Sequence, residues 1–156
     1  MSVDCLTHYY PSQREIDLFA WVHTAATELK PDGLLAVRDL IVPGSHLRGK
    51  KADKQRQAGH YVNAFLQMSG WQPALSQDQW QAALQQAGYT VVYAQVTAVT
   101  CTFHNWATSL PATNRLRLRV LLTQAPPPAL DYLTPHFAGD RIAFQLSELW
   151  IIGRSK

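Results

Sequence analysis

Apolar positions recur with two different periods along this chain, and each change of period marks an element. Residues 2–8 form a short strand candidate that ends at Tyr9-Tyr10-Pro11. Ser12 followed by Glu15 has the form of a capping box, and Ile16, Phe19, Ala20, His23 and Ala26 then recur at helical spacing, which predicts a helix over 12–30. Leu18, Trp21, Val22, Ala25 and Leu29 make a second apolar stripe, so this helix is expected to be covered on more than one side; His23 reads as a packed or capped side chain rather than a ligand. Pro31-Asp32-Gly33 stops the helix, because Pro cannot continue the hydrogen-bond ladder and Gly accepts the angles of a sharp reversal. Residues 34–42 are apolar except for Arg38 and Asp39. A run of this kind suits a strand covered on both faces and predicts a parallel α/β sheet.

The second half of the chain alternates in the same way. Tyr61, Val62, Phe65, Leu66 and Met68 predict a helix over 52–69 that ends at Gly70. Ser76 and Gln79 form a second capping box, followed by Trp80, Ala83, Leu84 and Ala87 on one face and Gly88 as the stop. Residues 89–99 are rich in β-branched and aromatic side chains and read as a strand. Over 110–124 two readings compete: Leu116, Leu118, Val120 and Leu122 alternate with Arg115, Arg117 and Arg119 like a strand, yet the segment also fits a helix before Ala125-Pro126-Pro127-Pro128. Gly139-Asp140 marks a turn, and 141–152 reads as the last strand.

Composition narrows the class without naming a function. With 156 residues, 47% hydrophobic and 16% charged, the chain fits one soluble domain, 1–156. Its first residues have neither a basic nor an apolar leader region, and no run reaches the ~18 apolar residues of a spanning helix, so a cytoplasmic location and no membrane partner are expected. Cys5 and Cys101 form no Cys-x-x-Cys pair and read as reduced, buried small residues. The net charge of +3 is unevenly spread: Arg48, Lys50, Lys51, Lys54 and Arg56 face one acid, Asp53, whereas no Lys or Arg occurs over 57–110. That basic run either receives an anionic substrate or is a solvated face. Nucleic acid is not an expected partner.

Gly44-x-x-x-x-Gly49-Lys50 after a strand mimics a phosphate-binding loop, but position 51 is Lys where Ser or Thr must hold magnesium. Six histidines lie scattered without His-x-x-x-His spacing and no Gly-x-Ser-x-Gly elbow occurs, so neither a metal site nor a serine nucleophile is expected.

Leu29-Lys30-Pro31-Asp32-Gly33-Leu34-Leu35-Ala36-Val37-Arg38-Asp39 resembles the Leu-Lys-Pro-Gly-Gly, apolar strand, Arg/Ser-Asp motif of class I S-adenosylmethionine-dependent methyltransferases, with Asp32 in place of the first Gly. In that family the motif joins the fourth crossover helix to the fifth strand of a seven-stranded Rossmann-like sheet. The resemblance implies an α/β fold, a partial sheet of strands four to seven flanked by helices, with a basic lid-like segment over 44–60. Because the family inserts helical segments between its last two strands, it also favours a helix over 110–124. The family's Gly-rich cofactor loop and ribose-binding acid are absent: none of the eight glycines forms Gly-x-Gly. The resemblance therefore implies the C-terminal half of the domain, a truncated chain whose S-adenosylmethionine site is incomplete.

Ligands of open α/β sheets bind beyond the carboxyl ends of the strands. That rule selects Thr7, His8, Tyr9 and Tyr10 after the first strand and Asp39, with His46 and Arg48 beyond, after the second. By resemblance, Thr7, His8 and Tyr9 would line the cofactor and His46 and Arg48 the substrate side, and Tyr61, Trp71, His104 and Trp106 are candidates for an apolar substrate wall or for core. His8 could act as a general base and Asp39 could orient the acceptor. The implied activity is methyl transfer to a small molecule. The alternative is a non-catalytic methyltransferase-like remnant or interaction module. With the family's first strands missing, residues 2–8 would be an unprotected strand edge, open to self-association or to a partner chain.

Overall fold

Two long apolar strands, not the helices, set the layout of the molecule. The computed structural model describes residues 2–11 and 16–156. In chain order the elements are β1 (Val3–Tyr9), α1 (Leu18–Glu28), β2 (Leu29–Ile41), α2 (Lys50–Met68), α3 (Gln77–Gln86), β3 (Tyr89–Thr102), α4 (Phe103–Ala107), α5 (Ala112–Thr123), α6 (Pro127–Leu133), β4 (His136–Ala138) and β5 (Arg141–Ser155). The strands form one sheet in the order β1-β2-β5-β3, with β4 paired to the start of β5.

Alternate positions of β2 and β5 feed two cores. Leu35, Val37, Ile41, Leu149 and Ile151 pack against α1 and α3 through Leu18, Val22, Trp80 and Leu84. On the other face Leu40, Phe144 and Leu146 meet Val62, Phe65 and Leu66 of α2, with Leu118, Leu122 and Leu133 beyond them. Helices thus cover both faces of the sheet, which is why β2 reads as an almost unbroken apolar run. The run encodes burial, however, not direction. Among the described residues only β1 and β2 are parallel; β5 runs antiparallel to β2 and to β3, so the expected parallel sheet is a mixed one. The reversal comes from Gly139-Asp140, where Gly139 at φ 58° closes the β4–β5 hairpin and sends β5 back down the sheet.

The Pro31-Asp32-Gly33 segment differs from expectation in detail. Helix α1 already ends at Glu28, and residues 30–33 are a bulge within β2: Val3 pairs with Leu29, but Cys5 pairs with Leu34. Asp32, not Gly33, takes the left-handed conformation, at φ 62°. Gly33 is needed for a different reason, since a Cβ there would lie 2.8 Å from the Lys30 carbonyl oxygen. The bulge is anchored by the Ser155 hydroxyl, which donates to that same oxygen (2.6 Å), and by a Lys30–Asp4 ion pair of 3.0 Å.

Helix α1 begins at Leu18 rather than at 12, because the Asp17 carboxylate accepts from Phe19 N and Ala20 N and caps it there. The Ser12/Glu15 capping box lies outside the described residues. Of the two stripes read on this helix, Leu18, Val22, Ala25 and Leu29 are buried, whereas Ile16 and Phe19 remain exposed. Helix α3 carries the full Ser76/Gln79 capping box, and the helical reading of 110–124 corresponds to α5. Cys101 is half-buried, but Cys5 is exposed on β1 rather than buried as expected. No helix among the described residues is long and apolar enough to cross a membrane.

Candidate functional site

At the carboxyl end of β1 the chain turns through Tyr10, a non-glycine residue held at φ 50°. Its amide donates to the Arg38 carbonyl (2.6 Å), and this turn lays the ring over the Arg38 guanidinium, 5.3 Å from the ring centroid. The Trp150 ring flanks the same guanidinium at 5.0 Å. Beneath them lies Glu148, 2% exposed. Its carboxylate accepts from the Tyr10 hydroxyl and from Trp150 Nε1 (3.1 Å), and Arg38 Nε stands 2.8 Å from Oε1. The Nε–H is not aimed at that oxygen, so the Arg38–Glu148 contact is an ion pair rather than an aligned hydrogen bond. Arg38 of β2 thus turns to β5.

These neighbours settle the charges. Burial alone would raise the pKa of Glu148, but Arg38 and the Tyr10 hydrogen bond favour the carboxylate and leave it below its ordinary value. The Tyr10 phenol is pushed up to about 12, first by burial and then by Glu148. Pairing with Glu148 raises Arg38 further. At neutral pH the three are therefore a fixed anion, cation and neutral donor.

Through Tyr10, the member of the cluster that lines it, this floor adjoins a crevice of 520 Å³, whose walls include Tyr9, Tyr10, Trp71, Asn105, Trp106 and Ser109. Trp71 and Trp106 stack with planes 11° apart and centroids 5.8 Å apart. Trp106 is held in turn by Phe65 (6.2 Å) and Phe144 (5.8 Å), and its Nε1 donates to Ser69 Oγ at 2.7 Å. The crevice thus joins the end of β1, the α2 C-terminus and α4, with aromatic faces backed by the core and polar groups at the rim. It occupies the place at which open α/β sheets bind ligands.

Tyr9 and Trp106, named from the sequence, meet in this crevice together with Trp71. The other candidates lie elsewhere. Thr7 is exposed on β1, and His8 packs edge-on against Trp21 of α1, 4.5 Å between centroids. Asp39 is buried in the sheet, where Oδ1 accepts from Leu40 N (2.9 Å). His46 pairs with Asp78 at 2.8 Å in a separate 380 Å³ cavity between the β2 exit, α2 and α3. Arg48 is exposed beside it in sequence, and the Tyr61 hydroxyl donates to the Leu121 carbonyl (2.8 Å), under α5. His104 lines a third cavity on the far side of α4. In the Gly44–Gly49 loop a Cβ at Gly44 would lie 2.6 Å from Ser76 Cβ, so the loop is packed against α3 rather than open around a phosphate. Among the described residues, no group of His, Cys, Asp and Glu is arranged to hold a metal ion.

Tyr10 is among the residues that the strand-end rule selects, but Arg38, Glu148 and Trp150 were not singled out as a site from the sequence. One signal was available: Glu148 is the sole charged residue over 142–152, and a lone charge inside an apolar strand requires a partner.

No family model and no curated protein matches the sequence. Solved structures do resemble the fold. A protein from Bacillus halodurans C-125, provisionally assigned as a methyltransferase, aligns over 98% of this chain and 64% of its own length, with a TM-score of 0.85 and 14% identity. The YcgJ protein of Bacillus subtilis aligns over 99% of this chain and 64% of its own, with a TM-score of 0.84 and 20% identity. The chain therefore spans a little under two thirds of each of these structures. Its mixed α/β architecture, an open sheet with helices on both faces, is a methyltransferase-like Rossmann fold.

Proposed function

We propose that this chain is the acceptor-binding part of an S-adenosylmethionine-dependent methyltransferase that acts on a small molecule. The observation that carries the reading is the aromatic crevice at the carboxyl end of β1, within a fold like that of a structure assigned to methyl transfer. The residues fit one end of the cofactor and not the other. Tyr9, Tyr10 and Trp71 offer aromatic faces that favour a cationic sulfonium, whereas a Gly-rich loop and a ribose-binding acid are not among these 156 residues. In this reading those parts come from further strands beside β1, and 1–156 is the C-terminal portion of the domain.

When bound, the cofactor supplies an electrophilic methyl group. The chain's own residues orient the acceptor between the Trp71–Trp106 wall and Tyr9. Tyr10 stays protonated at neutral pH and Glu148 is committed to Arg38, so the floor fixes geometry instead of removing a proton. His46 and Arg48 lie at the β2 exit, away from the crevice, and would bear on substrate entry.

A second reading, a non-catalytic interaction module, is favoured by one observation: the outer edge of β1 has no strand beside it among the described residues. Titration calorimetry with S-adenosylmethionine separates the two. Saturable binding that Tyr9→Ala or Trp71→Ala weakens supports methyl transfer, whereas no heat at millimolar cofactor would remove the idea that these residues work alone and leave the module.

A further inference from the structure

Beyond the point where β2 stops, β3 and β5 continue as a two-stranded arm. The last β2 pair is Ile41↔Ser147, while β3 stays paired to β5 as far as Thr102↔Ala143, four residues or roughly 13 Å further. Between this arm, the β4–β5 hairpin, α4 and the first turn of α5 lies the largest of the cavities described, 660 Å³, within the range of small-molecule sites. Its apolar lining includes Phe103, Ala107, Ile142 and Ala143. Ala107 and Ile142 belong to the core, so this side is rigid.

Charge distinguishes this cavity from the aromatic crevice. Arg115 projects into it from α5 and Arg141 from the start of β5, and neither has an ion-pair partner among the described residues. Asp140 also lines it, but is drawn to Arg119 at 3.9 Å. Two guanidinium groups against one carboxylate leave an excess of one positive charge over an apolar floor. A guanidinium prefers a planar oxyanion, and Asp140 would repel a second negative charge on the ligand.

We propose that this cavity is a binding site for a small amphipathic monocarboxylate, its apolar body against Phe103, Ala107 and Ile142 and its carboxylate on Arg115 and Arg141. The site does not depend on the methyl-transfer reading. It does touch the crevice, since Asn105 of α4 lines both spaces. A ligand here would therefore press on the wall of the crevice.

Titration of the intact chain with sodium octanoate, octyl phosphate and octanamide tests the assignment. Octanoate should bind about tenfold more tightly than the neutral amide, the effect of a charge-assisted contact, and the preference should weaken with salt. The double variant Arg115→Ala/Arg141→Ala should erase this preference while leaving octanamide binding and the melting temperature unchanged, because both side chains lie at the surface. Octanoate-induced NMR shifts should fall on His104, His136 and Ile142. Equal binding of octanoate and octanamide, a charge preference that survives in the double variant, tighter binding of octyl phosphate than of octanoate, or shifts confined to Lys50, Lys51 and Lys54 would each overturn the proposal.

Discussion

Replacing Glu148 by Gln tests whether the floor of the crevice is held by charge or merely by shape. The side chain is 2% exposed and its carboxylate meets Arg38, Tyr10 and Trp150. Breaking a buried ion pair by removing one partner costs about 3–5 kcal/mol. Arg38 keeps 35% of its side-chain area in water, however, so solvent takes up part of the stranded charge and the lower end applies. Gln retains the volume and can still accept from the Tyr10 hydroxyl, which lowers the expected loss to about 2–3 kcal/mol, or roughly 4–12 °C in Tm for a chain of this size. Acid supplies the control. The folded pKa of Glu148 lies below its ordinary value, so its contribution is fully present above the unfolded-state pKa, near 4.5, and is lost as the pH falls from there through the lowered folded value. Urea unfolding followed by tryptophan fluorescence should therefore show the full gap between parent and variant at pH 7 and a narrowing gap below pH ~4.5. A gap smaller than about 0.5 kcal/mol at pH 7, or one that stays constant down to pH ~3, would refute an electrostatic floor.

Tyr10→Phe should cost about 1 kcal/mol at neutral pH. The Tyr10 pKa is raised from 10.0 to about 12, so its contribution is complete below the unfolded value and disappears as the pH rises through the folded one; urea midpoints of parent and Phe variant should converge over that alkaline window, and parallel curves would contradict the shift. Gly59→Ala should destabilise by about 1–3 kcal/mol in a thermal melt, although Ala normally stabilises a helix interior, because the new Cβ would lie 2.1 Å from the Pro43 carbonyl oxygen. A higher Tm for that variant would mean that α2 does not rest on the β2 exit. The outer edge of β1 carries only Asp4 and then Pro11 as protection, so light scattering coupled to size exclusion should show self-association, with fast exchange in any monomer of the β1 amides that face away from β2. A clean monomer with slow exchange there would mean that the edge is covered.

The fold was largely legible where the signal was local. The Ser76/Gln79 capping box, the Tyr61–Met68 periodicity and the β-branched run after Gly88 each specify an element through neighbours three or four residues away, and α3, α2 and β3 follow them. Direction and register were not legible in the same way. A strand buried on both faces is apolar whichever way its neighbour runs, so β2 could not announce that β5 lies antiparallel to it. The start of α1 shifted to Asp17 for a related reason: several residues in that stretch can cap, and only the packing of Leu18, Val22 and Ala25 onto the sheet selects among them.

The candidate site was legible only in part, and the missing step was pairing register. Arg38 and Glu148 each interrupt an apolar strand, and either one alone gives a reason to search for an opposite charge. Nothing local states that Arg38 faces Trp150, yet once that pair is known Glu148 lies two residues along β5 on the same face, within diagonal reach of the guanidinium. Tyr10 then completes the cluster from a third strand end, through a backbone conformation that its own sequence does not favour. Strain of this kind persists only when its surroundings over-determine it, and here the surroundings are an ion pair and two tryptophan rings. Residues on β1, β2 and β5 meet at a single point beneath the crevice, so the floor can exist only in the folded sheet.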